Sequence, residues 1–122
     1  MPSNSGLLAL AFCVTLSLSS PAQQKLSADE AKTHVGEQAT VCGTAVSIHY
    51  AAASKGEPTF INLDNPYPRQ TFTILIWASD RPKFGNPERK YSGKNVCATG
   101  LITIYRDVPE IVVHDPAVIT MP

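Results

Sequence analysis

The sequence predicts an all-β domain: a small five-stranded Greek-key barrel with a short N-terminal helix ahead of its first strand. Three observations carry this. Five segments rich in Val, Ile and Thr are separated by turns bearing Gly and Pro. The first segment is long and contains a glycine, as a strand needs if it serves two sheets of a closed barrel. The link between the third and fourth segments is long and irregular, and the last two segments close as a hairpin.

Leu7 to Leu18 is an apolar run of 12 residues, too short to span a bilayer and suited to the core of a signal peptide. Ser20-Pro21-Ala22 supplies the small residues that a signal peptidase reads, which sets cleavage before Gln23. Residues 1–22 are therefore expected to be a signal peptide. Residues 23–122 are expected to be one exported domain, periplasmic or secreted. After Gln23 to Leu26, a polar lead-in, Ser27-Ala28-Asp29-Glu30 has the form of a capping box. A helix is expected from there through about Val35, with Gly36 as its stop and Leu26, Ala31 and Val35 facing inward.

The strands follow. Thr40 to Tyr50 is the first, with Gly43 as the expected site of a bulge. Tyr50 to Glu57 is a loop whose small residues and Gly56 favour mobility. Pro58 to Asp64 is the second strand, and the two prolines around Tyr67 force a turn. In Gln70 to Ala78, Phe72, Ile74 and Ile76 point one way, and Thr73, Leu75 and Trp77 the other, which makes a third strand. Ser79 to Lys94 holds Pro82, Gly85, Pro87 and Gly93, has no helical period, and offers Phe84 and Tyr91 as anchors into the core. The fourth strand is Asn95 to Tyr105 and the fifth Glu110 to Val113, joined at Arg106 to Pro109. Ala117 to Pro122 is a tail.

Ten basic and ten acidic residues cancel, which argues against a binder that works through the charge of its whole surface. The distribution is less even. Arg69, Arg81, Lys83, Arg89, Lys90 and Lys94 face only Asp80 and Glu88 between Asn65 and Tyr105, so a local basic surface is one reading and an ordinary solvated face the other. Loss of the signal peptide removes Cys13 and leaves Cys42 and Cys97. In an oxidising compartment an even pair bridges where geometry allows, and two buried free thiols are the alternative.

The stretches Gly36-Glu37 to Val46, Phe60-Ile61-Asn62-Leu63-Asp64 and Val96-Cys97-Ala98-Thr99-Gly100-Leu101-Ile102 resemble the OB-fold, over Glu37 to Val113. The pattern is similar to anticodon-binding-type OB domains and to single OB modules of exported bacterial proteins. The resemblance implies a ligand face on the second and third strands. It also implies a base-stacking role for Phe60, with Asn62 beside it, and antiparallel pairing of the first and fourth strands that sets Cys42 next to Cys97. Arg69, Arg81 and Lys83 lie near strand ends where a backbone phosphate could reach them, and Trp77 or Tyr67 could add a stacking surface. Core burial of Phe60 and Trp77 is the competing reading.

No catalytic constellation is present. His34, His49 and His114 are scattered, there is no Cys-x-x-Cys or His-Glu-x-x-His, and no glycine-rich phosphate loop occurs. The chain is expected to be no enzyme and to hold neither metal nor cofactor. Its expected function is binding, first of single-stranded nucleic acid through an aromatic and basic face. The alternative is a protein- or glycan-binding domain, or a structural one, with no nucleic-acid role.

Overall fold

A computed structural model describes Ala11, Cys13 and residues 24–122. The expected signal peptide, apart from Ala11 and Cys13, lies outside the described residues. Among these, no helix is long and apolar enough to cross a membrane.

The described chain is all-β with little helix. Its elements are β1 (Lys25–Ser27), β2 (Gln38–Tyr50), β3 (Thr59–Leu63), β4 (Phe72–Ile76), α1 (Pro87–Tyr91), β5 (Asn95–Leu101), β6 (Thr103–Tyr105), β7 (Val108–Val112) and β8 (Ile119–Thr120). They form one sheet in the order β6-β7-β4-β3-β2-β5-β8, with β1 parallel beside β2. The β4–β7 pair is parallel and the remaining neighbours are antiparallel.

The sheet has eight strands and is not closed, where a closed five-stranded barrel was expected. The difference originates at Ile102, the midpoint of what reads as one long fourth strand. Its amide donates to the Glu37 carbonyl, and its carbonyl accepts from the Gly36 amide. The ladder therefore breaks there: β5 stays on β2 while β6 crosses to β7. The gap between β5 and β7 is filled by packing. A Cβ on Gly100 would lie 2.8 Å from the Ile111 Cγ2, so only glycine lets the two strands approach this closely.

Strand β2 ties both halves of the sheet together. Its first part, Gln38–Thr44, pairs with β5, and its second part, from Ala45 on, pairs with β3. The register slips between Ala45 and Ser47, so the bulge lies past Gly43. Gly43 has a different task. An added Cβ would meet the Asp64 Oδ1 at 2.8 Å and the Leu63 Cβ at 3.1 Å, so glycine is what admits the end of β3 against β2. The Asp64 carboxylate then accepts from the Thr44 amide at 3.0 Å.

The N-terminal helix is reduced to a single 3-10 turn, Glu30–Thr33. Both bonds of the capping box form: the Glu30 amide donates to the Ser27 Oγ and the Ser27 amide to the Glu30 Oε1. The turn goes no further because the His34 amide takes the Ala31 carbonyl in 3-10 fashion and Gly36, with φ +91°, reverses the chain. Leu26 and Ala31 are buried as expected, whereas Val35 is exposed. The polar lead-in holds β1, and the tail holds β8 on the free side of β5. In the long link, Phe84 and Tyr91 are buried anchors. The link also contains a 3-10 turn, Arg81–Phe84, and α1, which is capped by Asn86 and opened by Pro87. The core lies between the two halves, around Val41, Ile61, Phe72, Ile74, Val96 and Ile111.

Cys42 and Cys97 sit directly opposite in the β2–β5 register and form a disulfide, which excludes the free-thiol alternative. It closes a loop of sequence separation 55. In the chain-entropy account such a link is worth about 4 kcal/mol. Replacing both cysteines by alanine is expected to lower the unfolding free energy by about 2–4 kcal/mol, read from the denaturant midpoint. An unchanged midpoint would refute this.

Candidate ligand-binding face

Strands β2, β3, β4 and β7 turn alternate side chains into the core, and the other set makes the opposite, outer face, on which Asn62, Thr73 and Leu75 are themselves buried. Register aligns this face into two rows. One runs His49, Phe60, Leu75, Val112; the other runs Ser47, Asn62, Thr73, Glu110 and on to Thr103 of β6. The first row is largely apolar, with a half-buried Phe60 at its centre. The second is polar and internally bonded. The Asn62 Nδ2 donates to the Ser47 Oγ at 3.0 Å, and the Thr73 hydroxyl donates to the Asn62 Oδ1 at 3.4 Å. Asn62 is only 2% exposed, so these bonds fix the orientation of its amide.

The six residues singled out in the sequence do not gather into one cluster. Phe60 and Asn62 occupy adjacent rows of the outer face. Trp77 follows the end of β4 and lies at the rim, 38% exposed. Arg69 is exposed in the turn at the opposite end of β4 and has no side-chain partner among the described residues; Tyr67 beside it is 72% exposed. Arg81 is turned inward. It holds both carboxylate oxygens of Glu88 at 2.9 and 3.0 Å, donates to the Thr59 hydroxyl, and stacks 4.1 Å from the Tyr50 ring centroid. Lys83 donates to Asp80 at 2.9 Å and to the His114 carbonyl at 3.2 Å.

The charges follow from these contacts. Hydrogen bonds from Lys83 and then from His114 hold the Asp80 carboxyl below its usual range, and the Asp80 bond raises Lys83 in turn. Tyr50 donates to Glu57 at 3.1 Å, which pushes its phenol up. On the outer face the sole carboxylate in the two rows is Glu110, and burial raises its pKa. Neither row contains a lysine or arginine.

Seven residues of the face escaped the sequence reading as site residues: Ser47, His49, Thr73, Leu75, Thr103, Glu110 and Val112. The alternation of β4 already set Thr73 and Leu75 opposite the core residues. Glu110 required the parallel β4–β7 register, which no local pattern encodes. The loop between β2 and β3, expected to be mobile, is tied down. The Ala78 amide donates to the Gly56 carbonyl at 3.1 Å, and an added Gly56 Cβ would lie 2.9 Å from the Trp77 ring. No group of three or more His, Cys, Asp or Glu able to hold a metal occurs among the described residues. No family model, curated protein or solved structure matches the chain.

Two outcomes follow from this geometry. Gly56 has φ +77° and no room for a Cβ. Gly56→Ala is therefore expected to cost about 1–3 kcal/mol and to shift the emission of Trp77; a variant as stable as wild type with unshifted emission would contradict the packing. For Glu110, the folded chain keeps its proton over a pH window above 4.5 in which the unfolded chain has released it. Stability therefore falls as pH rises through that window. Glu110→Gln should raise the denaturant midpoint near neutral pH and match wild type well below pH 4.5. A midpoint difference independent of pH would remove burial as the cause.

Proposed function

We propose that the chain is an exported, disulfide-stapled OB-type binding module whose outer face takes single-stranded nucleic acid. The observation that supports this best is Phe60: an aromatic ring, half-buried and open to solvent on one side, between a histidine and an aliphatic row. A nucleobase stacked there would gain contact sequence-tolerantly, since every base has a π-face. The bonded row of Ser47, Asn62 and Thr73 beside it, with Asn62 and Thr73 buried, stiffens the strands that present the ring. The central strand path β7-β4-β3-β2-β5, with its parallel β4–β7 pair, supports the OB-type reading. The apolar run from Leu7 to Leu18 supports export, and a disulfide belongs to an oxidising compartment.

Electrostatics makes this a weakly salt-dependent binder. Arg81 and Lys83 are bonded within the fold, and of the remaining cations Arg69 and Lys55 lie near opposite ends of the face. Two phosphate contacts on a single strand give a slope of about −1.4 in log K against log salt. The same commitment of Arg81 and Lys83 favours a second reading, a neutral glycan or a protein surface on this face.

Fluorescence anisotropy with a labelled oligothymidylate tests the proposal. Phe60→Ala should weaken binding by about 1–3 kcal/mol while the unfolding midpoint confirms that the fold is kept. No binding by either protein, or equal binding by both, rejects the nucleic-acid reading. A slope steeper than about −4 moves the binding surface elsewhere, to a more basic patch.

A further inference from the structure

The recess at the rim of the face belongs to neither row of the outer face. It is bounded by Trp77, by Gly56 and Glu57 from the β2–β3 loop, and by Ser54 and Ser79. Its construction is specific. The Gly56 backbone, with φ +77°, lies against one part of the indole, and the Ala78 amide bonded to the Gly56 carbonyl closes the loop onto the strand end. The ring is thus held while remaining 38% exposed. Glu57 has φ 44°, a left-handed conformation unusual for a residue with a side chain, and its carboxylate accepts from the Tyr50 hydroxyl at 3.1 Å. Strain of this kind is maintained where the surroundings over-determine it, and such positions concentrate at ligand clamps.

Charge decides what such a recess suits. Its wall carries one carboxylate and two serine hydroxyls around an aromatic ring. The guanidinium behind it, Arg81 on Tyr50, is already neutralised by Glu88. Lys55 belongs to the same loop but does not line the recess. A phosphodiester would therefore meet Glu57 without a paired cation, at a cost. A neutral pyranose would not. Its axial C–H face can lie on the indole, and its hydroxyls can donate to the Glu57 carboxylate in charge-assisted bonds and exchange bonds with Ser54 and Ser79.

We propose that Trp77, Glu57, Ser54 and Ser79 form a saccharide subsite for a neutral, β-linked hexopyranose. This goes beyond the nucleic-acid reading and does not rest on it, because the recess shares no residue with the Phe60 face. The flat face of a β-1,4-linked unit fits an openly presented indole better than the kinked face of an α-linked one.

Trp77 is the single tryptophan of the chain, so its emission reports this recess alone. Full-length exported protein is titrated with cellotriose, with chitotriose and, separately, with an octathymidylate. The expected result is a saturable shift of Trp77 emission with at least one trisaccharide and none with the oligonucleotide. Glu57→Gln keeps an acceptor for the Tyr50 hydroxyl and so keeps the loop in place, and it should weaken trisaccharide binding about tenfold. Absence of any shift with both sugars overturns the proposal. A shift caused by the oligonucleotide alone overturns it too, and assigns the recess to the nucleic-acid face. Undiminished trisaccharide binding by Glu57→Gln, with an unchanged unfolding midpoint, would equally overturn it.

Discussion

One strand has to satisfy two sheets, and most of the structure answers that constraint. β2 runs 13 residues and changes partner part-way, from β5 to β3. A strand that does this must coil sharply, and every device at the crossover serves it. Gly43 removes the Cβ that would collide with the end of β3. The register slip near Val46 lets the second half re-aim its side chains. The Asp64 carboxylate caps the seam on the Thr44 amide, and the disulfide fixes the first half against β5 one residue before the glycine. Without this crossover Ser47 and His49 would not join the β3 and β4 residues on the outer face. Scaffold and face are consequences of the same bend.

Legibility in the sequence follows the range of the interaction concerned. The alternation of Phe72, Ile74 and Ile76 is a local signal, and all three are buried. The capping box is local as well, and both its bonds form. Its helix did not extend, because a cap fixes where a turn starts and says nothing about whether an apolar face exists to sustain it. The break at Ile102 was illegible for a different reason. Leu-Ile-Thr-Ile-Tyr has uniform strand propensity, and the interruption comes from the backbone of Gly36 and Glu37, more than sixty residues away in the chain. β1 and β8 were missed because two or three residues carry no period.

The candidate site divides along the same line. Alternation within β3 puts Phe60 and Asn62 on one face whatever the tertiary structure. Arg81 and Lys83 look free in a sequence, where a basic residue has no visible partner. Tyr50 lies 31 positions before Arg81, and His114 lies 31 after Lys83. Only the packed link between β4 and β5 brings them together. That link, suggestive of function by its length, spends Arg81 and Lys83 on holding itself in place.

This spending shapes what the molecule can recognise. A cation bonded bidentately to a carboxylate and stacked on a phenol has no remaining capacity for a phosphate without breaking those contacts. Part of the net neutrality in the sequence is made in pairs where the basic cluster lies: Arg81 with Glu88, and Lys83 with Asp80. What stays accessible is aromatic and hydroxyl-bearing, with two carboxylates, Glu57 and Glu110, where a polyanion binder would place lysines. Surfaces of this composition discriminate through stacking and hydrogen-bond geometry, and their affinity should owe little to ionic strength. A ligand at either proposed site, Phe60 or Trp77, would therefore be selected mainly by its shape and its hydroxyl or amide groups, and only secondarily by its charge.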